Sequence, residues 1–294
     1  MSAPVVVGFD GSATAQSAVH YGAREALRRG CGLRVVHAFG WPVILPPFHA
    51  PYDQHDQGPR AAMLDLLAQN AHEVRAAHPS LSVTTRLIDG SPGGVLVDVS
   101  RDAQLLVVGH RGLGGFTGLL VGSVAAQAAG HARCPVVVVR GDDPPDGAPV
   151  VLGTDGSSGA NRAAEVAFAQ AQLRDVELIL AHHQPVRRSS AGASVTGDPG
   201  FWATVGDPAA GALGVGARYP DVKYRTEVVP GASAASALIT LARRTSAGLL
   251  VVGSRGRGGF RGLVTGSTSR NVIEHASCPV MVVPAAHAVV DVLP

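Results

Sequence analysis

LLVVGHRGLGGFTGLLVGS at residues 105–123 and LLVVGSRGRGGFRGLVTGS at 249–267 are one sequence written twice. Each copy runs from a short apolar strand pattern through a glycine-rich turn to a Gly-Ser pair that opens a helix, the order found in a parallel α/β unit. The flanks repeat as well. VVVGFDGS at 5–12 returns as VVLGTDGS at 150–157, and HARCPVVVV at 131–139 returns as HASCPVMVV at 275–283. The offset is 145 residues from Asp10 to Asp155 and 144 from Gly109 to Gly253, so the duplication spans a whole domain. Between the copies, GDDPPDGAP at 141–149 has the prolines and glycines of an exposed linker. The chain thus reads as a first domain (1–141), a linker (142–148) and a second domain (149–294).

Within each copy, β-branched runs alternate with longer helical patterns, which implies parallel strands joined by crossover helices. In the first copy, strands are expected near 4–9, 33–39, 82–88, 104–109 and 135–139, and helices near 15–30, 59–78, 92–102 and 122–132. The second copy has its strands near 149–154, 176–182, 222–229, 248–253 and 279–284. Right-handed crossovers then leave few topologies. The expected fold class is α/β, with two tandem doubly wound, Rossmann-like domains, each a five-stranded parallel sheet flanked by helices. Residues 185–217 carry glycines too frequent for a good helix, so a short helix and a mobile loop are expected there. With the long loop at 41–59, both copies place a flap beside the second strand.

The spacing Gly109, Gly112, Gly122-Ser123 recurs as Gly253, Gly256, Gly266-Ser267. It joins the fourth strand to the last helix, whose free amides and dipole favour an anion, and a phosphate chain is the natural occupant. The glycines would let backbone amides approach a ligand, and Ser123 and Ser267 add a hydroxyl at the helix start. A flexible turn with a capping serine would explain a single occurrence equally well, but two copies with surrounding identity favour binding. Asp10 and Asp155 close the first strand of each copy. In open α/β sheets ligands sit beyond the carboxyl ends of the strands, where an acid can accept hydrogen bonds from a ribose or base. Gly8 and Gly153, two residues earlier, would permit close approach, while capping of the next helix is a compatible second role for the aspartates.

Composition removes several alternatives. Apolar residues make up 46% and charged residues 16%, so there is material for buried sheets. A formal net charge of +2 signals neither nucleic acid nor an acidic membrane as partner. No apolar run reaches eighteen residues and the start MSAPVVVGFD lacks signal-peptide features, so a cytoplasmic location is expected. Lys223 is the only lysine and has no glycine loop near it, which excludes a Walker loop and a protein-kinase site. No G-x-G-x-x-G follows the first strand, and no G-x-S-x-G elbow, H-E-x-x-H or paired C-x-x-C occurs. Cys31, Cys134 and Cys278 read as reduced. His131 and His275 fall at helix ends, where a cation suits the dipole, and are read as structural. Side-chain alternation along a strand argues against a joint metal site at His182 and His183.

On these motifs the chain resembles the universal stress proteins of the tandem-domain, ATP-binding type, over nearly its whole length except the flaps and ends. The resemblance implies an adenine nucleotide alpha-hydrolase-like fold and one ATP per domain, with Mg2+ accompanying the phosphates. It places Asp10 and Asp155 at the adenosine end and the backbone near Ala38 and His183 against the adenine. Gly109, Arg111, Gly112, Gly114, Gly115, Gly122, Ser123 and Val124 would surround one phosphate chain, and Gly253, Arg255, Gly256, Gly258, Gly259, Gly266, Ser267, Thr268 and Ser269 the other. The family often carries a further hydroxyl after the Gly-Ser pair. The second copy has Ser269 and the first has Ala125, so the first site is expected to grip phosphate less firmly.

The leading expectation is a nucleotide-dependent binding module or switch in a stress response, with no catalytic residue. A slow ATPase or nucleotidyl-transferring enzyme is the rival, and it needs a base and a metal ligand at the phosphates. A third reading makes the duplication an assembly device, in which the valine strands 135–139 and 279–284 pair to form a homodimer or an intramolecular pseudo-dimer.

Overall fold

The computed structural model describes residues 2–40, 58–114, 120–141, 143–185, 187–188, 194–195, 210–256 and 265–285. The first copy supplies β1 (Val5–Gly8), α1 (Ala13–Arg28), β2 (Leu33–Phe39), α2 (Gly58–Ala77), β3 (Val83–Asp89), α3 (Pro92–Val99), β4 (Leu105–Gly109), α4 (Ser123–His131) and β5 (Val136–Val139). The second supplies β6 (Val150–Thr154), α5 (Ser158–Arg174), β7 (Leu178–Pro185), a small hairpin of β8 (Arg187–Arg188) and β9 (Ser194–Val195), and α6 (Ala210–Gly216). It continues with β10 (Tyr224–Gly231), α7 (Ala234–Arg244), β11 (Leu249–Gly253), α8 (Ser267–His275) and β12 (Val280–Val283).

Local chemistry sets the helix starts. Ser12 and Ser157 each accept a hydrogen bond from the amide three residues on, at 3.2 Å, and so cap α1 and α5. Pro92 fills the first turn of α3, and Ser233 and Ser236 form a reciprocal capping box at α7. The expected short helix within 185–217 is α6; the 41–57 stretch and most of the second flap lie outside the described residues. β7 and β10 run further than expected, because polar His182 and His183 continue the ladder against Val228 and Val229.

One expectation is corrected. The two sheets are a single ten-stranded sheet in the order β10-β7-β6-β11-β12-β5-β4-β1-β2-β3. In this sheet all pairings within each half are parallel, and β5 meets β12 antiparallel with Val137 opposite Met281. These two residues are repeat counterparts at the 144-residue offset, so an approximate two-fold axis passes between them. The physical reason lies in the strands themselves. Val136–Val139 and Val280–Val283 are buried throughout, and each would otherwise end its half with a row of unpaired backbone groups. Pairing satisfies those groups and hides apolar side chains worth about 1.5–3 kcal/mol each when fully buried. Each last strand is thereby flanked on both sides within the chain, so neither presents an open edge to a second copy.

Alternate residues of the sheet feed two cores. Val5, Val7, Leu33, Leu105, Leu152 and Leu249 pack beneath α1, α2, α5 and α6, while Val6, Val36, Leu106, Val151 and Leu250 pack beneath α3, α4, α7 and α8. Both cores run unbroken through the junction, since Val137 and Met281 share one and Val138 and Val282 the other.

On the α1 and α5 face a charged contact crosses the halves. Arg174 donates to Glu25 at 2.7 Å and to the Tyr21 hydroxyl at 2.6 Å, and Arg28 donates to the same carboxylate at 3.1 Å. Burial works to raise the pKa of the Glu25 carboxyl, but Arg174, Arg29 and Arg28 outweigh it and hold the group below its ordinary value. Burial also pushes the Tyr21 phenol up to about 12. Where the first half has Glu25, the matching position of the second half holds Gln170, so only one carboxylate serves the shared cluster. In the linker, Gly141 has φ +71°, and a Cβ there would overlap the backbone of Ser277.

Candidate functional site

The strand order reverses between β1 and β4 and again between β6 and β11, and the two glycine loops leave the sheet at those reversals. In the first half, Asp10 Oδ1 accepts from the Ser12 amide at 3.0 Å and Oδ2 accepts from the Leu113 amide at 3.0 Å. The carboxylate therefore clamps the glycine loop to the turn after β1. Thr14 adds a second tie by donating to the Arg111 carbonyl. In the second half, Asp155 Oδ1 accepts from the Ser157 amide at 3.0 Å.

Glycine has a specific cause at two places. A Cβ on Gly112 would overlap Asp10 Oδ2, and one on Gly256 would overlap Asp155 Oδ2. The missing side chain at these positions is needed by the aspartate clamp, where a ligand had been the expected reason. Gly109 and Gly253 likewise abut the backbone of Thr14 and of Gly159. Gly8 and Gly153 face Leu96 and Leu238, with a virtual Cβ 2.8 Å and 2.6 Å from the nearest leucine methyl, so close packing of α3 and α7 accounts for them. Gly114 has no described residue beside its virtual Cβ position. Gly115, Gly258 and Gly259 lie outside the described residues.

The loops end at Gly122 and Gly266, which cap α4 and α8 with extended backbone and no side-chain bond to the first amides. The amide ends at Ser123 and Val124, and at Ser267 and Thr268, therefore have no side-chain cap and carry the positive end of the helix dipole. Gly122 and Gly266 also close their loops by donating to the carbonyls of His110 and Ser254, both at 2.8 Å. Ser269 is buried and its hydroxyl lies 3.0 Å from the Gly266 carbonyl and 3.3 Å from that of Ser254, tying the entrance of the loop to its exit. Ala125 occupies that place in the first half.

In the second half these elements enclose a cavity of about 470 Å³, within the range of small-molecule sites. Gly153, Asp155, His183, Gly253, Arg255, Gly256, Gly266, Ser267, Thr268 and Ser269 line it, so the structure brings together the described members of the sequence-derived set of this half. Thr154, Ala160, Ala181, Ala234, Leu238, Val252 and Thr265 complete the wall. None of these stood out in the sequence, although Thr154 adjoins Asp155 and Leu238 repeats Leu96 on the helix after the third strand. In the first half, Ala38 and Val124 are partly buried against the α3 and α4 core.

The histidines divide by partner. His37 Nδ1 donates to Phe9 O at 2.8 Å and His182 Nδ1 to Thr154 O at 3.1 Å, so each holds the backbone just before an aspartate. His183 turns to the other side, with Nε2 2.9 Å from Gly231 O. His131 and His275 bond carbonyls four residues back in their own helices. In the first loop, burial lowers the pKa of His110, aided by Arg140 and Arg111 and opposed by a bond to Val139 O. Burial raises the Cys134 and Cys278 thiols to about 12. Among the described residues, no group of three His, Cys, Asp or Glu is arranged for a metal, and no helix is long and apolar enough to cross a membrane.

The sequence profile of the universal stress protein family matches residues 1–140 and 148–284. The universal stress protein Rv2623 of Mycobacterium tuberculosis is 36% identical over 294 residues, covering 95% of either chain. Among solved structures, a universal stress protein from Archaeoglobus fulgidus covers 97% of this chain and 99% of its own at 20% identity, with a TM-score of 0.72. A universal stress protein solved in complex with cAMP covers 47% of this chain and 98% of its own at 26% identity, with a TM-score of 0.39. With two family matches along one chain and a full-length relative at 36% identity, this protein belongs to the universal stress protein family.

Proposed function

We propose that each half binds one adenine nucleotide, ATP foremost, and that the protein acts as a nucleotide-dependent binding module in a stress response. The observation that carries this reading is the second-half cavity. It brings together an acid, an apolar wall of Ala181, Leu238 and Val252, and an uncapped helix N-terminus with Arg255. A nucleotide supplies a partner for each of these: ribose hydroxyls for the acid, a flat base for the apolar wall and phosphates for the helix end. Mg2+ would take its ligands from phosphate oxygens and water, as this ion commonly does. The residues given roles bind and orient, and none is assigned a proton transfer, so binding is the proposed output. The first-half clamp of Asp10, Leu113 and Gly112 supports a second site of the same kind.

Calorimetric titration of nucleotide-stripped protein with Mg-ATP tests the reading. Saturation near two equivalents per chain is expected, and an absence of heat together with no retention of labelled ATP would overturn it.

A further inference from the structure

We propose that His183 makes the second site selective for a purine bearing an amine at position six, whereas the first site lacks this selection. The inference rests on the adenine-nucleotide reading above. Strand register fixes the comparison. Gly8 pairs with Val36 and Gly153 with Ala181, so Ala38 and His183, two residues further along β2 and β7, are equivalent. At this position one site carries a methyl group and the other an imidazole.

The ring lines the cavity, and its Nε2 lies 2.9 Å from the Gly231 carbonyl on the edge strand β10. A carbonyl only accepts, so Nε2 carries the proton, and in the neutral ring Nδ1 is left as an acceptor. The wall around it is supplied by Ala181, Ala234 and Leu238, which offer a base no side-chain hydrogen bond. Nδ1 is thus the side-chain acceptor available at the apolar end. The six-position amine of adenine can donate to it. The six-position carbonyl of hypoxanthine or guanine would instead oppose one lone pair with another and leave a buried acceptor unpaired. Ala38 cannot make this distinction, so the first site is left with backbone recognition.

One net hydrogen bond to a buried partner corresponds to about a tenfold preference. The test compares ATP with ITP, in which the six-position amine becomes a carbonyl and N1 gains a proton, by equilibrium titration at pH 8. The second site is isolated by Asp10→Ala and the first by Asp155→Ala. The ATP:ITP affinity ratio is expected to be about ten times higher at the isolated second site than at the first. His183→Ala should bring the second site down to the ratio of the first, while His183→Asn, which keeps a donor and an acceptor, should retain the preference. An unchanged ratio in His183→Ala overturns the proposal, as does an equal loss for both nucleotides, which marks a purely structural ring. If His183→Ala does not fold, the comparison of the two native sites decides, and equal ratios overturn it. Failure of the native chain to bind ATP defeats the adenine reading itself, whereas ATP binding with a ratio indifferent to His183 defeats this inference alone.

Discussion

The two halves share a sheet order and an aspartate-to-glycine contact, and they differ at several of the side chains placed around it. Asp10 lies against Gly112 and Asp155 against Gly256, and each aspartate also accepts from the serine amide two residues on. Around it, His110 stands against Ser254, Ala38 against His183, Ala125 against Ser269, and Arg140 against Pro284. The close approach of the aspartate to the loop glycine is therefore what both halves hold in common. Of the substituted positions, His183 and Ser269 line the second-half cavity. A similar asymmetry holds the halves together, because Glu25 gathers Arg28, Arg29 and Arg174 while its counterpart Gln170 carries no charge.

The largest break in the comparison comes from making that interface symmetric. Glu25→Gln leaves buried guanidinium groups without their carboxylate and should cost about 3–5 kcal/mol in urea unfolding, while Glu25→Leu with Arg174→Met should recover much of the loss. Acid sharpens the point. Because the folded-state pKa of Glu25 lies below the ordinary value of 4.5, its contribution is present above that pH and disappears as pH falls through the lower folded value. The stability of the native chain should therefore drop more steeply than that of Glu25→Gln as the pH is lowered from about 5. Equal slopes would remove Glu25 from the account.

Next in size is the clamp. Gly256→Ala sets a methyl group against Asp155 Oδ2, and overpacking of this kind costs about 1–3 kcal/mol, so nucleotide affinity should fall roughly 10- to 100-fold at the second site. Gly112→Ala should do the same at the first, each leaving the other site intact. Simultaneous loss at both sites would mean that the halves do not bind independently. The smallest effect concerns Ser269. Its hydroxyl ties Ser254 to Gly266, so Ser269→Ala should weaken the second site about fivefold by loosening the loop, with one hydrogen bond at stake. Ala125→Ser is the converse test, and tighter binding at the first site would show that the hydroxyl suffices.

The elements of the fold were legible because each signal is local. Strand runs such as Val5–Gly8 and Leu249–Gly253 are apolar on both faces, and Ser12 and Ser157 mark helix starts within a few residues. Pairing of the two valine strands was among the expectations, but Val136–Val139 reads as a buried strand whether its neighbour is a second chain or its own repeat, so the choice between them was not legible. The Glu25 cluster was hidden for a related reason: the charges of α1 look like a solvated face until α5 is laid across them. In the site, the residues were identified more readily than their roles. Gly112 and Gly256 stood out by spacing, but the sequence could not reveal that an aspartate oxygen fills the space beside them. His37 and His182 hold the backbone before each aspartate through side-chain bonds that no spacing encodes.

The most direct test of paired nucleotide sites is the nucleotide content of the purified chain. The protein would be denatured and its released ATP and ADP quantified, with Asp10→Ala, Asp155→Ala and the double variant in parallel. Near two ATP per native chain is expected, one in each single variant and none in the double. A native chain that carries no nucleotide and takes up none from Mg-ATP, or a stoichiometry indifferent to both aspartates, would contradict the account.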